Sequence, residues 1–290
     1  MISASTSVEE ISSTVQAGYV KFGVGLDAAQ LVERSARLDL SGLDFGSFAE
    51  EPLDSASLRC LRYMHDVEAH TICYLRDLLV TRAHRDPEVT DFLACWCYEE
   101  HWHGDAIGKV LEAHGEPSGS RVAAMRRRLP RRDAWRPYVF GAVSSVTRDA
   151  VAVFMSWGAI NELVTQTAYA RLAQCAGHPV LSELLRRIMR QEGRHIDFYT
   201  AQARRRLQER ASARKLARAS LRLLWEPVGT SVMPASEANH LATHLFFGPD
   251  GEAAYRRVDK HIDRLPGLAG LSLFERAVGK QMGSVIRSPL

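Results

Sequence analysis

The chain has 290 residues, 46% of them hydrophobic and 24% charged, with a formal net charge of +3; that is enough apolar material for one large core or two domains. It contains no run of eighteen apolar residues, which excludes a membrane span from expectation. The opening stretch MISASTSVEEISSTVQ has neither the basic start nor the apolar segment of a secretory signal, so a soluble, cytoplasmic protein is expected.

In chain order, residues 8–38 read as two short helices broken near Gly23 and Gly25, and residues 40–52 as a loop. A first core helix is predicted over residues 55–80, where Leu61, His65, Glu68, Ile72, Leu75 and Leu79 keep a 4-3-4-3-4 spacing. A second is predicted over 88–114, with Phe92, Trp96, Glu100, His103, Ile107 and Val110 on one stripe. A long basic connection carrying Pro130 and Pro137 follows. The third core helix is predicted over 145–176, presenting Val151, Met155, Ala159, Glu162, Tyr169 and Leu172 on its inner stripe, with Thr165 and Gln166 sharing one turn of it. After a break at Gly177, His178 and Pro179, the fourth spans 180–208 with Leu181, Leu185, Ile188, Glu192, His195 and Tyr199. Beyond it, residues 211–224, 235–246 and 252–265 read as helices, with WEPVGTSVMP as a turn segment between the first two.

Two features stand out on these stripes. Glu100 and His103, and again Glu192 and His195, are three residues apart, which puts a carboxylate and an imidazole on one helix face. Each pair is preceded about thirty residues earlier by a further inward glutamate, Glu68 or Glu162. The midpoint of Glu68 and Glu100 is position 84 and that of Glu162 and Glu192 is position 177, both in predicted loops. Two antiparallel hairpins would therefore bring the four glutamates to matching heights.

Burying four carboxylates together is costly unless cations or protons accompany them. Two divalent ions would balance the four charges, and mixed carboxylate and imidazole donors suit iron or manganese. One Glu from each of two helices plus E-x-x-H from each of the other two is the pattern of ferritin-like di-metal carboxylate proteins. The expected fold is thus all-α: a ferritin-like four-helix bundle with a long crossover between two antiparallel hairpins and extra flanking helices. Residues 1–54 are expected to pack on the bundle, 55–210 to form it, and 211–290 to extend the same domain.

The block CWCYEEHWHGD resembles the AWxAEExxHGD block of the soluble acyl-[acyl-carrier-protein] desaturases at Trp96, Glu99, Glu100, His103, Gly104 and Asp105. Glu162 and Thr165 match that family's third-helix E-x-x-T. The resemblance covers roughly residues 55–205 and is loose outside these motifs. It implies an O2-dependent di-iron oxidoreductase in which Glu68 and His103 hold one iron, Glu162 and His195 the other, and Glu100 and Glu192 bridge them. A manganese/iron pair would use similar ligands. Thr165 would lie beside the oxygen-binding face; a threonine bonding its own helix backbone is the alternative for it. The resemblance further implies a substrate carried on acyl carrier protein, an external electron donor such as ferredoxin, and a homodimer. Two departures are evident: Gln191 stands where plant members carry an Asp implicated in electron delivery, and Gly193 lies inside the fourth helix.

Single positions separate neighbouring families on the same bundle. Ribonucleotide reductase small subunits place a radical tyrosine four residues after the second-helix histidine, where this chain has Ile107. Di-iron N-oxygenases add a histidine four residues before the fourth-helix glutamate, here Ile188. The five cysteines, Cys60, Cys73, Cys95, Cys97 and Cys175, contain no C-x-x-C pair, which removes a rubredoxin unit and any disulfide framework.

Of the remaining histidines, His65 reads as a core residue or a partner of a ligand, and His70, His101 and His114 as outward-facing or helix-end residues. His240 and His244 read as packing or surface residues. Arginine clusters at Arg126–Arg128 with Arg131 and Arg132, and at Arg204–Arg206, are candidate docking charges for an acidic carrier. They lack the interleaved aromatics of a nucleic-acid surface, so no nucleic-acid partner is expected. Two other functions remain open: a di-iron hydroxylase or oxidase of a specialised-metabolism substrate, and a ferritin-like iron-sequestration protein.

Overall fold

The computed structural model describes residues 28–286, apart from 128 and 130. Most of the expected pair of N-terminal helices lies outside the described residues; its last part is α1, Ala28–Arg34. A 3-10 turn at Phe45–Ala49, started by the Asp44 side chain accepting from Gly46 N, interrupts the expected loop. No strand occurs among the described residues, and the chain is all-α.

Four helices form the bundle. They are α2 (Ser55–Glu68), α4 (Pro87–Ala113), α7 (Ala150–Ala176) and α8 (Pro179–Glu209). Helix α2 starts where Asp54 accepts hydrogen bonds from Ala56 N and Ser57 N, satisfying two otherwise orphaned donors. Gly177 at φ +63° ends α7 in the left-handed conformation and Pro179 opens α8, so α7 and α8 form a tight antiparallel pair. Helix α2 packs along α4, α4 along α8, and α2 along α7, which closes the bundle.

The first core helix differs from expectation. It ends at Glu68, and α3 (Thr71–Leu79) resumes after His70. The phase is reset there, so Ile72 and Leu79, expected on the buried stripe, are exposed; His70, expected to face outward or lie at a helix end, caps the start of α3 and is fully buried. The connection between the hairpins also differs: it contains two helices, α5 (Ser118–Arg127) and α6 (Arg131–Val146), with Pro137 inside the second. Helix α7 accordingly begins at Ala150 instead of near 145.

Four more helices follow: α9 (Ala211–Leu224), α10 (Ala235–Phe246), α11 (Gly248–Ile262) and α12 (Leu273–Ile286), the last without a predicted counterpart. Helices α9 and α11 lie on α7, α10 lies on α2, and α12 packs against α10 and α11. The stacked rings of His240 and His244 belong to this packing: His240 Nε2 donates to Ala56 O at 3.1 Å, and His244 Nε2 lies 3.4 Å from Ser57 Oγ. All five cysteines are free thiols, and burial pushes Cys60 up to about 12.

Close approach of α7 and α8 depends on Gly158, where a Cβ would sit inside the ring of buried Tyr199. That ring is held edge-on by Phe92 at 4.7 Å, which itself stacks on Phe198 at 4.0 Å. Gly158→Ala is therefore expected to destabilise the fold by about 1–3 kcal/mol through overpacking. Chemical denaturation measures this; an unchanged midpoint would show that the Tyr199 ring can move aside freely.

Candidate metal centre

Helix periodicity carries Glu68, Glu100, His103, Glu162, Glu192 and His195 to one level in the bundle interior, and all six are buried. Their donor atoms form two groups, each with its atoms within 4.8 Å of one another: Glu68, Glu100 and His103 in one, and Glu100, Glu162, Glu192 and His195 in the other. Glu100 belongs to both. Glu192 reaches toward the first group as well, with Oε1 3.4 Å from His103 Nδ1. The imidazoles of His103 and His195 have ring centroids 6.0 Å apart.

Both histidines present Nδ1 to the centre. His103 Nδ1 is 3.2 Å from Glu100, and His195 Nδ1 is 3.1 Å from Glu192 and 3.2 Å from Glu100. Their Nε2 atoms point away, to partners that occupy matching positions on the two helices. His195 Nε2 donates to Glu99 Oε2 at 2.7 Å, and His103 Nε2 donates to Gln191 Oε1 at 2.8 Å. Glu99 immediately precedes Glu100, and Gln191 immediately precedes Glu192. Each helix thus supplies a donor to its own side of the centre and, one residue earlier, orients the histidine of the other helix. Such partners fix the tautomer and aim of a ligating imidazole.

The pair is chemically unequal. Glu99 is held below the usual carboxylate range: burial would raise it, but the hydrogen bond and charge of His195, together with Arg194, overcome burial. Arg194 Nη2 donates to Glu99 Oε1 at 2.6 Å. His195 therefore leans on an anion and His103 on a neutral amide. The peptide of Ala36 closes over both partners: its N–H donates to Glu99 Oε1 at 3.3 Å and its carbonyl accepts from Gln191 Nε2 at 2.9 Å. Arg187 fastens the same strap through the carbonyls of Asp39 and Ser41. Packing of the N-terminal region on the bundle thus acquires a role at the site.

The two outer glutamates also have one partner each. Tyr169 OH donates to Glu68 Oε1, and Trp96 Nε1 donates to Glu162 Oε1 at 3.0 Å. Burial and then the charge of Glu100 push Glu68 well above the carboxylate range; burial and then the charges of Glu192 and Glu100 do the same to Glu162. Glu100 and Glu192 move the other way. Burial opposes their ionisation, but Glu68 donates to Glu100, and His103 and His195 hold both carboxylates ionised. Burial would depress His103, yet Glu100 and Glu192 raise it to about 10; His195 is raised well above its usual value by Glu100, Glu192 and Glu99 against the same burial.

The donor set fits two divalent cations. Glu192 Oε1 is a buried carboxylate oxygen with no hydrogen-bond partner, aimed into the cluster. Burial and neighbouring charge favour the protonated forms of Glu68, Glu162, His103 and His195, and a metal ligand must give its proton up. Loading divalent ions is therefore expected to release protons, so metal affinity falls as pH is lowered. Proton release titrated in weak buffer during metal addition checks this, and release of fewer than about one proton would contradict the ligand set.

On α7, Thr165 is half-buried and stands in the wall of an apolar cavity that Glu68 also lines. The cavity holds about 550 Å³ of atom-free space, its open mouth included, and Val164, Leu241, Phe246 and Phe274 contribute to its lining. Its outer wall comes from α10, α12 and the turn at Pro227 and Val228, all beyond the expected bundle. Tyr63 OH donates to Val228 O at 2.8 Å and holds that turn in place.

Other sequence candidates fall outside the centre. His65 Nδ1 pairs with Asp66 at 3.0 Å, and Asp66 also meets Arg121 at 2.9 Å. His114 Nδ1 donates to Val110 O and its Nε2 accepts from Leu53 N, tying α4 to the loop before α2. Arg205 and Arg206, expected as docking charges, are engaged with Glu88 and Asp86 on α4 and its preceding residue. In the sequence, Glu99 stands in the motif without a role of its own, and Trp96 and Tyr169 read only as core residues. Their signal is positional: each lies on a core helix at the level of a glutamate or histidine it can reach.

No sequence-family model matches the chain, and no curated protein matches it. Solved structures do. The chain is similar to a point mutant of an R2-like ligand-binding oxidase with an aerobically reconstituted Mn/Fe cofactor, at 18% identity, covering 88% of this chain and 92% of that one with a TM-score of 0.53. A second structure, another point mutant of such an oxidase with an Fe/Fe cofactor, matches at 17% identity over 89% and 91% with a TM-score of 0.52. A third, after photoconversion, matches at 18% identity over 89% and 90% with a TM-score of 0.51. At these identities the likeness is one of fold. The ferritin-like bundle is thereby established, and the desaturase resemblance is narrowed to that fold and its paired-carboxylate cluster.

Proposed function

We propose that this chain is an O2-dependent dinuclear-metal oxidoreductase that oxidises an apolar small molecule, as a hydroxylase or oxidase. The observation that carries this reading is the apolar cavity that includes Glu68 in its lining, which sets an apolar surface beside the cluster. The similar structures are of ligand-binding oxidases holding Mn/Fe or Fe/Fe; either pair suits the donors here.

Glu68 and His103 would hold one ion, Glu162 and His195 the second, and Glu100 and Glu192 would bridge them. Bound there and reduced by an external donor such as a ferredoxin, the pair supplies reduction of O2 and removal of hydrogen from an unactivated carbon. The protein's own contribution is positional and electrostatic. Glu99 and Gln191 fix the two imidazoles, and Trp96 and Tyr169 hold the outer carboxylates. The apolar wall would exclude water, and Thr165, which lines the same cavity as Glu68, would supply a hydroxyl to relay a proton.

Desaturation of an acyl chain on acyl carrier protein is the second reading, favoured by the Trp96 to Asp105 block and by Thr165. Iron-loaded, reduced protein should consume O2 faster in the presence of medium-length apolar acids or alcohols, with mass spectrometry finding one oxygen atom gained. Loss of two hydrogens from an acyl-carrier-bound chain, with no reaction of the free molecules, would transfer the assignment to the desaturase reading. No O2 uptake by metal-loaded protein with either substrate would overturn both.

A further inference from the structure

We propose that α6 seats the protein on an anionic lipid surface. Trp135, Tyr138, Val139, Ala142, Val143 and Val146 recur at the spacing of one helix face, and all are exposed, Tyr138 by 72% and Val146 by 86%. The opposite face of α6 is the one anchored to the protein. Arg136 pairs with Asp77 at 3.2 Å, Phe140 meets Phe154 edge-on at 5.6 Å, and buried Ser144 accepts from Arg82 N at 2.7 Å. The apolar stripe is therefore left outward by a docked helix. Leu79 and Val80, also exposed, extend it where Gly141 approaches Val80 O. Seven of the thirteen exposed large apolar side chains among the described residues thus lie in this one patch, a concentration that marks an interaction surface.

Charge and residue type select the occupant. Residues 118–148 contain eight arginines and a single acid, Asp133, and Arg126, Arg127 and Arg148, in the residues flanking α6 along the chain, are exposed. A second copy would bring a segment of the same basic charge, which does not complement it. An anionic bilayer complements that charge, and Trp and Tyr beside valines are the side chains that settle at the boundary between headgroups and acyl chains. No described helix is long and apolar enough to cross a membrane, so the contact is with the surface. Arg136 also donates to Ser231 at 3.2 Å, in the segment that follows Pro227 and Val228 of the cavity wall.

The test is flotation of the full chain, with and without added iron, with vesicles of phosphatidylcholine alone or mixed with phosphatidylglycerol. Binding is expected only to the mixed vesicles, weakening as salt is raised. The double variant Trp135→Ser, Val143→Ser is expected to bind at least roughly tenfold less while keeping its helical signal and melting temperature, since both side chains are solvent-exposed. Arg126→Glu with Arg127→Glu should remove the preference for anionic vesicles. Absent wild-type binding, or equal binding by the double variant, overturns the proposal. So does a concentration-dependent dimer, or a salt-sensitive complex with an acidic carrier protein, that the double variant abolishes while vesicles are ignored. Binding independent of iron separates this result from the fate of the oxidase reading.

Discussion

Glu100→Ala is expected to abolish paired metal binding and to lower O2-dependent turnover by more than about 100-fold, beyond the 10–100-fold expected when a partner of a metal ligand is lost. Among the described residues Glu100 alone belongs to both donor groups, so its removal leaves neither group complete. Its oxygens also lie 3.2 Å from each Nδ1, as those of Glu192 do at 3.4 and 3.1 Å. The variant should retain its fold, because His103 and His195 can each shed a proton once that charge is gone. Glu100→Gln preserves shape and removes charge, so it separates ligation from packing. Metal analysis and circular dichroism on the three proteins read out the two effects. Two tightly held ions in Glu100→Ala would mean that Glu100 is not needed to hold the pair.

Glu99→Ala carries the second largest expected effect, now on stability. Glu99 is fully buried and takes hydrogen bonds from His195, Arg194 and the Ala36 peptide. Truncation leaves the Arg194 guanidinium and the His195 Nε2–H without their acceptor, which costs about 3–5 kcal/mol for a broken buried pair. Metal affinity should fall roughly 10–100-fold as His195 loses its orientation.

The pH dependence has a definite sign. Glu99 is depressed below its ordinary value of 4.5 in the folded protein, so its contribution is present above that value and is lost as pH falls through the folded one. The stability gap between wild type and Glu99→Ala should therefore be widest near neutrality and shrink on acidification. Denaturant midpoints across that range measure it. A gap that grows in acid would contradict the assigned ion pair.

The four core helices and all six clustered residues follow from periodicity alone, because a carboxylate on an otherwise apolar 3.6-residue stripe has nowhere to go but inward. The break after Glu68 does not, since Ala69, His70 and Thr71 include neither Gly nor Pro. Pro137 misleads in the opposite direction: it reads as a breaker, yet α6 runs through it. Glu99 and Gln191 are hidden for a geometric reason. A residue one position from an inward ligand is turned by about 100° and faces the neighbouring helix, which a stripe pattern scores as off-face.

The cavity is illegible in the sequence because its walls, from α2, α7, α10 and α12, meet only in three dimensions. The arginine runs show the limit of composition. Arg205 and Arg206 are spent on Glu88 and Asp86, whereas the arginines around α6 flank an apolar face in a stretch that reads, by sequence, as a connection.

The most direct test of the central claim is metal stoichiometry by mass spectrometry on wild-type, Glu100→Ala and His195→Ala protein, each reconstituted with Fe²⁺ or with Mn²⁺ plus Fe²⁺ and freed of loose ions. The account predicts about two ions per wild-type chain and loss of the pair in both variants. A well-folded wild-type protein that retains no metal after reconstitution, or variants that retain as much as wild type, would contradict it.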